Sequence, residues 1–119
     1  MPLASGLLTG KLKRDTQFSP EDHRSFNRNG EAFDKGETFS GVPYDTALDA
    51  VESLRKLVPA GMSMTQFEAV TCAIPGAKTA QQAADNAAAA DLPPLSPETL
   101  DAVKAVYDHA IRQEVQAQW

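Results

Sequence analysis

The chain has 119 residues, of which 42% are apolar and 23% charged, a composition typical of one small globular domain. Its net charge of −5 and its scattered basic residues argue against general nucleic-acid binding, because no basic patch is present to neutralise phosphates. The single cysteine, Cys72, has no partner for a disulfide and no zinc-site spacing around it. Neither a signal peptide nor an apolar run long enough to span a bilayer is found, so we expect a cytoplasmic protein.

Residues 12–43 follow a short motif rich in Leu and Gly and show neither a helical nor an alternating period. So long a segment without regular structure is usually a functional lid or disordered, and we expect a lid-like loop. Four aromatic rings are spaced irregularly along it, and without a further layer to cover them they are expected to contact a partner or promote association. These rings belong to Phe18, Phe26, Phe33 and Phe39.

The first helix that the sequence predicts runs from Asp45 to Val58, where apolar residues recur at helical spacing. A proline and a glycine within three residues of its end stop it. An i,i+4 pair between Glu52 and Lys56 is expected to support its exposed face. The apolar stripe of this core-facing helix consists of Ala47, Leu48, Val51, Leu54, Leu57 and Val58.

A second helix start follows at once, because Ser63 and Gln66 form a capping-box pattern. The next β-branched run opens at Val70, which leaves room for about one helical turn. A crossover between parallel strands normally needs a full helix. We therefore expect residues 44–69 to be helical and to have lost most of a second helix in an internal deletion near Phe67.

Residues 70–90 predict a strand, a turn and a helix, an order that often holds phosphate. The apolar run breaks at Pro75-Gly76, and an alanine-rich helix follows. Thr79 is expected to accept a hydrogen bond from the amide of Gln82, while Gln82 reaches back to the amide of Thr79. The other first-turn amides, the helix dipole and the charge of Lys78 then favour an anion beside the turn.

Three polar side chains share one face of this helix beside the expected anion site: Gln82, Asp85 and Asn86. Asp and Asn are poor helix formers, and an otherwise alanine-filled helix gives no local reason to place them next to each other. The alternative is an ordinary solvated helix face with a common cap.

The last predicted helix lies at residues 96–115, with Ser96 as its cap and Pro97 at its first position. Its side chains Tyr107 and His109 are interpreted as packing and surface residues rather than catalytic ones. The stripe expected to be buried consists of Leu100, Val103, Val106, Tyr107, Ala110 and Ile111.

Two of these motifs together resemble the NADP(H)-dependent aldo/keto reductase family. Pro2-Leu3-Ala4-Ser5-Gly6-Leu7-Leu8-Thr9-Gly10-Lys11 is similar to the loop after its seventh barrel strand. Ile74-Pro75-Gly76-Ala77-Lys78, followed by Gln82, Asp85 and Asn86, is similar to its last βα unit. Both motifs occur in the family's order, and the resemblance extends over essentially the whole chain.

The resemblance implies that residues 1–11 lie along the cofactor pyrophosphate and that residues 70–90 bind the adenosine 2′-phosphate end of NADP(H). Residues 12–43 would fold over the cofactor, with Arg24 as the arginine that contacts the pyrophosphate. The alternative for Arg24 and its neighbour His23 is that of exposed loop residues without a role. The family usually has Glu where this chain has Asp85. The implied cofactor-binding residues are Pro2, Leu3, Ala4, Gly6, Lys11, Arg24, Gly76, Lys78, Gln82, Asp85 and Asn86.

The fold implied by the resemblance is the C-terminal portion of a (β/α)8 barrel, from the end of strand seven onward, in a single partial domain over residues 1–119. A closed barrel needs eight strands in about 250 residues, whereas this sequence has one clear strand. We therefore expect a mostly α chain with at most one or two short strands and no closed barrel.

The family reduces carbonyls by hydride transfer from NADPH, with a tyrosine, a lysine, an aspartate and a histidine at its catalytic centre. None of the motifs of this chain matches those residues, and neither Tyr44 nor Tyr107 has a lysine arranged to lower its phenol pKa. The sequence therefore predicts cofactor-contact motifs without catalytic residues or metal ligands, and a chain inactive alone. Cofactor affinity is expected to be on the order of millimolar, because the few charged contacts only partly offset the cost of immobilising the ligand.

An alternative function is that of a small helical interaction module without catalytic activity. Such a module would associate with itself or with a separately encoded N-terminal half-barrel. A decayed gene product without function is the third possibility.

Overall fold

The computed structural model describes residues 3–67 and 77–116 of the chain. All regular structure in these two ranges is helical, and they contain no strand. The prediction of a mostly α chain without a closed barrel is therefore confirmed. The predicted strand at residues 70–74, together with Pro2 and Gly76, lies outside the described residues.

Two tight turns in left-handed backbone conformation face each other in the N-terminal part of the fold. In the 3₁₀ segment Ala4–Thr9, the first three residues have φ of 44°, 56° and 94°. In the 3₁₀ turn Phe39–Gly41, the corresponding angles are 50°, 56° and 77°. Residues other than glycine rarely adopt this conformation, so surrounding contacts must hold the backbone here. One such contact joins the two turns, since the amide of Phe39 donates to the hydroxyl of Ser5 at 3.3 Å.

Residues 12–43 are more regular than the sequence suggests, because Asn27 organises their middle part. This side chain is fully buried, and its carbonyl oxygen accepts from the amides of Ala32 and Phe33, each at 2.8 Å. Its NH₂ group donates to the hydroxyl of Thr38 at 3.3 Å. The buried Asn27 side chain thus supplies hydrogen bonds that a helix or sheet would otherwise provide. Because this order does not come from a regular element, the sequence shows no hydrophobic period. The segment also contains helix α1 (His23–Phe26) and a 3₁₀ turn (Lys35–Glu37).

The aromatic side chains of this segment differ in their surroundings. Phe39 is 1% exposed and packs on Phe18 and Tyr44, with ring centroids 6.2 and 5.0 Å away. Phe26 and Phe33 pack edge-to-face on each other, with centroids 6.1 Å apart, and both rings stay exposed. The expectation that all four rings lack cover is therefore wrong for Phe39, because the next helix brings Tyr44 against it.

Helix α2 (Tyr44–Arg55) carries the face on which the core is built. It ends three residues before its predicted end, because the amides of Leu57 and Val58 make tight turn bonds to the carbonyls of residues 54 and 55. Glu52 pairs with Arg55 at 3.3 Å rather than with Lys56, so the predicted i,i+4 pair is wrong. The buried residues of α2 are Tyr44, Ala47, Leu48, Ala50 and Val51.

Helix α3 (Met64–Phe67) has the single turn that the sequence allows. Both hydrogen bonds of the predicted capping box are present. The amide of Gln66 donates to the Ser63 hydroxyl at 3.3 Å, and the amide of Ser63 donates to Gln66 Oε1 at 2.9 Å. Met64 and Phe67 are buried.

The C-terminal part contains helix α4 (Ala80–Ala88), helix α5 (Pro97–Val106), a π turn (Tyr107–Ile111) and helix α6 (Arg112–Val115). As predicted, Ser96 caps α5 by accepting from the amide of Thr99 at 3.2 Å. The predicted buried stripe is wrong at Leu100 and Tyr107, which are 53% and 41% exposed. The reason is that the helix meets the core near its end, where Ile111 packs against it and Val115 enters it.

The hydrophobic core lies where the two left-handed turns, α2, α3 and the end of α6 meet. Its buried members are Leu7, Phe39, Val42, Tyr44, Ala47, Leu48, Val51, Met64 and Val115. None of the helices in the described ranges is long and apolar enough to cross a membrane.

Candidate functional site

The predicted cofactor residues fall into two groups in the structure. Leu3, Ala4, Gly6, Lys11 and Arg24 form the first, here named the N-terminal group. The second comprises Lys78, Gln82, Asp85 and Asn86 and is named the Lys78 group. Within residues 3–67 and 77–116, no hydrogen bond or ion pair joins the two groups.

Gly6 and Arg24 are brought together by the first left-handed turn. A Cβ atom at Gly6 would lie 3.6 Å from Nη1 of Arg24, and Gly6 itself has a φ of 94°. The same Nη1 donates to the carbonyl of Ser5 at 3.4 Å. Glycine therefore provides both the left-handed conformation and the space in which the guanidinium approaches the turn.

Arg24 forms an ion pair with Asp22, so its positive charge is partly neutralised. Nε and Nη2 of Arg24 donate to the two carboxylate oxygens at 2.9 and 2.5 Å. Asp22 also caps α1 by accepting from the amide of Arg24 at 2.9 Å. These hydrogen bonds hold the pKa of Asp22 well below its usual range and raise the pKa of Arg24. Any anion that binds Arg24 must therefore compete with a carboxylate.

Leu3 and Lys11, two other members of the N-terminal group, differ in their contacts and in their exposure to solvent. The carbonyl of Leu3 accepts from the amides of Gly6 and Leu8, at 2.9 and 3.3 Å, and so closes the turn. Lys11 is exposed, and its amide donates to Thr9 Oγ1 at 3.3 Å. Lys11 is thus the member of this group whose side chain is most open to a ligand from solvent.

Arg28 is a cation beside this group that the sequence did not single out. Its guanidinium carbon lies 4.8 Å from the ring centroid of Tyr44 and 5.9 Å from that of Phe18. Arg24 lies over the same Phe18 ring, at 4.5 Å. Two guanidinium groups therefore share one aromatic ring, which concentrates positive charge at this surface. No sequence signal distinguishes Arg28 from other loop arginines, because only tertiary packing places the two rings beneath it.

The Lys78 group is built on the capped start of α4. The amide of Gln82 donates to the Thr79 hydroxyl at 3.2 Å, as predicted. The return bond differs from the prediction, because Gln82 Oε1 accepts from the amide of Lys78 at 2.7 Å instead of that of Thr79. The long Gln side chain spans one residue further than a capping box requires. Lys78 and Gln82 are consequently neighbours, both exposed to solvent.

Asp85 and Asn86 lie one turn further along α4. The carboxylate of Asp85 accepts from Gln81 Nε2 at 2.8 Å, which draws it toward Gln81 rather than Gln82. Its backbone carbonyl accepts from Gln66 Nε2 at 3.4 Å, a contact that ties α4 to α3. Asn86 is half-buried and shares the i,i+4 face with Gln82.

An apolar hollow of about 270 Å³ lies between the first turn, α2 and the C-terminal helices. Its lining is apolar except for the hydroxyl-bearing residues Ser40 and Tyr107. Ala4 belongs to this lining, whereas the Lys78 group does not. A space without charged groups cannot offset the cost of desolvating phosphates, so a dinucleotide would have to bind on the outer surface.

The two tyrosines differ in their surroundings. The hydroxyl of Tyr44 donates to the carbonyl of Lys13 at 2.7 Å, and its ring is buried in the core. Tyr107 lies at the rim of the apolar hollow. Neither position combines a free phenol with a nearby lysine in the described contacts.

The model of the aldo/keto reductase family matches residues 1–108, which is most of the chain. The chain belongs to the aldo/keto reductase family. Comparisons with curated proteins and with solved structures gave no match.

Members of the aldo/keto reductase family generally use NADP(H), and the two groups differ in the charge that they would offer to its phosphates. At the start of α4, the amides of Ala80 and Gln81 have no intrahelical acceptor, and the exposed Lys78 adds a cation. This combination suits a phosphate. At the N-terminal group, Arg24 is already paired with Asp22, so Lys11 and Arg28 would have to supply much of the charge.

Proposed function

We infer that this aldo/keto reductase chain is a cytoplasmic NADP(H)-binding segment that does not reduce carbonyls by itself. Residues 70–90 would hold the adenosine 2′-phosphate end, and residues 1–11 with Arg24 would lie along the pyrophosphate. When bound in a complete active site, the cofactor supplies a hydride. The role of this chain is to bind and orient the cofactor, because its tyrosines are not placed to move a proton.

The observation that carries the proposal is the start of α4. Thr79 accepts from the amide of Gln82, and Gln82 in turn accepts from the amide of Lys78, so the backbone at Lys78 and Thr79 is held at the start of the helix. The positive end of the helix dipole and the Lys78 ammonium would then both attract a phosphate bound at this helix start. Gln82 and Asn86, which share the i,i+4 face of α4, would contact the adenosine beside it.

The contacts of the N-terminal group support a weaker hold on the pyrophosphate. The Asp22 carboxylate offsets part of the charge of Arg24 before any ligand arrives. The remaining attraction would come from the exposed Lys11 and from Arg28 above its two rings. We therefore expect the 2′-phosphate end to contribute more affinity than the pyrophosphate.

Equilibrium titration of the purified chain with NADP+ and NAD+ tests this proposal. We expect a dissociation constant on the order of millimolar for NADP+ and about tenfold weaker binding of NAD+. Lys78→Ala should remove that preference. Lys56→Ala, which deletes an exposed lysine after α2, is the matched control and should keep it. Equal binding of both dinucleotides by the unaltered chain would refute the assignment.

A second candidate function is that of an interaction module, and the exposure of Leu100 and Tyr107 favours it. These apolar residues would be covered if another copy of the chain, or a separate N-terminal half of the family's barrel, packed on α5. Sedimentation of the chain alone and with such a half tests the idea. A chain that stays monomeric in both experiments has no such role.

A further inference from the structure

Ser5, His23 and Asp22 lie next to one another in an order that is used for nucleophilic catalysis. The Oγ atom of Ser5 is 3.4 Å from Nε2 of His23. On the other side of the imidazole, Nδ1 lies 3.6 Å from Oδ1 of Asp22, an ion-pair distance rather than a hydrogen bond. A hydroxyl next to an imidazole that is itself next to a carboxylate is the arrangement that activates an alcohol as a nucleophile. Contacts of this kind are often longer before a substrate is bound.

The backbone presents Ser5 in an unusual conformation. Ser5 has φ of 56° and ψ of 29°, between Ala4 and Gly6, which are also left-handed. Strain of this kind tends to occur at functional sites, where other contacts hold the residue in place. Here the amide of Phe39 donates to Ser5 Oγ, and that hydroxyl can donate to the carbonyl of Glu37, each at 3.3 Å. His23 and the Glu37 carbonyl therefore compete for one proton.

Asp22 is suited to support an imidazolium at His23. Its pKa is held well below the usual range by the hydrogen bonds from Arg24, so the carboxylate stays charged at neutral pH. As the cap of α1, Asp22 also fixes the position of the helix that begins at His23. The positive charge that the imidazole gains on accepting a proton would thus lie next to a negative one.

Arg24 places a cation beside the same turn. Its Nη1 donates to the Ser5 carbonyl at 3.4 Å and approaches the space that the missing side chain of Gly6 leaves open. A guanidinium bonded to the Ser5 backbone would offset part of the negative charge that develops on a substrate attacked by Ser5, in competition with Asp22. The imidazole stays accessible from solvent, since the His23 side chain is 41% exposed.

We propose that Ser5, with His23 as general base, hydrolyses small activated carboxylic esters. The Ser5 O–H bond breaks, its proton moves to His23 Nε2, and Oγ bonds to the ester carbonyl carbon while the C=O π pair moves onto the carbonyl oxygen. That pair then re-forms the C=O bond as the bond from the carbon to the alcohol oxygen breaks, and His23 returns the proton to the departing alcohol. Water repeats the sequence on the acyl group, which releases the acid and restores Ser5. This activity does not depend on the cofactor assignment.

Hydrolysis of p-nitrophenyl acetate and labelling by a fluorophosphonate probe test the proposal on the full chain. We expect one adduct, located by mass spectrometry on the peptide that contains Ser5. Ser5→Ala should abolish labelling, and His23→Gln should lower the hydrolysis rate by about 100-fold. Ser25→Ala and His109→Gln alter an exposed serine and the other histidine, and both controls should keep rate and label.

The Ser5 hydroxyl also joins the two turns, so Ser5→Ala is checked for its fold by circular dichroism. If it unfolds, His23→Ala decides the question, because its lost rate should return when free imidazole is added. A residue with only a structural role would show no such rescue. An adduct elsewhere, hydrolysis unchanged in His23→Gln, or a rate no higher than that of free imidazole would each overturn the proposal.

Discussion

Residues 3–67 and residues 77–116 form two regions of the same chain that are stabilised in different ways. Nearly every buried apolar residue lies in the first region, and Val115 is the member of the core that comes from the second. Leu100 and Tyr107 of the second region are exposed although they occupy apolar positions of their helix. Burial of apolar side chains therefore stabilises the first region more than the second, which reaches the core through Ile111 and Val115.

The polar contacts show the same difference. In the first region, the Tyr44 hydroxyl reaches the carbonyl of Lys13, and Arg55 Nη2 reaches the carbonyl of Gly10 at 2.6 Å, across 31 and 45 residues. In the second region, Asp108 pairs locally with Lys104 and Arg112 on the exposed side of the helix, four residues away in each direction. Exposed i,i+4 pairs contribute only a few tenths of a kcal/mol each. Substitutions in the first region should therefore lower the free energy of unfolding more, and affect a larger part of the structure, than substitutions in the second.

The largest effect is expected from Phe39→Ala, which removes the ring at the centre of the first region. Because this ring is 1% exposed, the free energy of unfolding should fall by about 3 to 5 kcal/mol. Urea denaturation followed by circular dichroism measures it. Phe33→Ala removes a ring that is 43% exposed and serves as the control. If both variants lost similar stability, the first region would not be organised around Phe39.

A smaller but still global effect is expected from Asn27→Ala. The substitution empties a fully buried site and leaves the part-buried amides of Ala32 and Phe33 without their acceptor, so we expect the free energy of unfolding to fall by about 2 kcal/mol. Asn29→Ala changes an exposed neighbour and should cost much less. Hydrogen exchange of the two amides provides a direct readout. Unchanged protection in Asn27→Ala would show that this side chain does not order the loop.

The acid sensitivity of the first region is the third prediction. The folded pKa of Asp22 is depressed, so the unfolded chain binds its proton more readily, and stability is lost as pH falls below about 4. Asp22→Asn keeps a side chain able to cap α1 but removes this linkage. Its stability should therefore decline less between pH 6 and pH 3 than that of the unaltered chain. Asp101→Asn, on the exposed side of α5, should leave the decline unchanged.

The smallest and most local effect is expected from Ser96→Ala in the second region. Loss of the bond from the Thr99 amide should destabilise the start of α5 by about 1 kcal/mol. Ser96→Asp keeps an acceptor and is the matched control. Exchange of the α5 amides should accelerate while the urea midpoint of the first region stays the same. A shift of that midpoint would show that the two regions unfold together.

The caps illustrate what can be predicted from sequence and where prediction fails. Ser63 with Gln66, and Ser96 with Pro97, mark helix starts that the structure confirms, because capping involves residues only a few positions apart. Prediction failed for the partner of Glu52 and for the return bond of Gln82, where two acceptable local partners compete. Neither the buried role of Asn27 nor the left-handed turn at Phe39 was predicted, because both depend on contacts with residues distant in sequence.

The contacts of the candidate site also fall into those that the sequence predicts and those that only the tertiary fold creates. Lys78, Thr79 and Gln82 are close in sequence, and their proximity in the structure follows from helix geometry. The pairing of Arg24 with Asp22, the stacking of Arg28 on two rings and the approach of His23 to Ser5 could not be foreseen. The last two of these depend on how residues 12–43 fold against the first turn.

By itself, the sequence determined the family, the helical character of the chain and the starts of its helices, because these depend on motifs and on contacts within one turn. Tertiary structure alone decided which apolar faces are covered and which charges are already paired. It also decided which hydroxyl lies beside an imidazole. Such features arise when residues far apart in the chain meet, and their free energies depend on burial that no local pattern encodes.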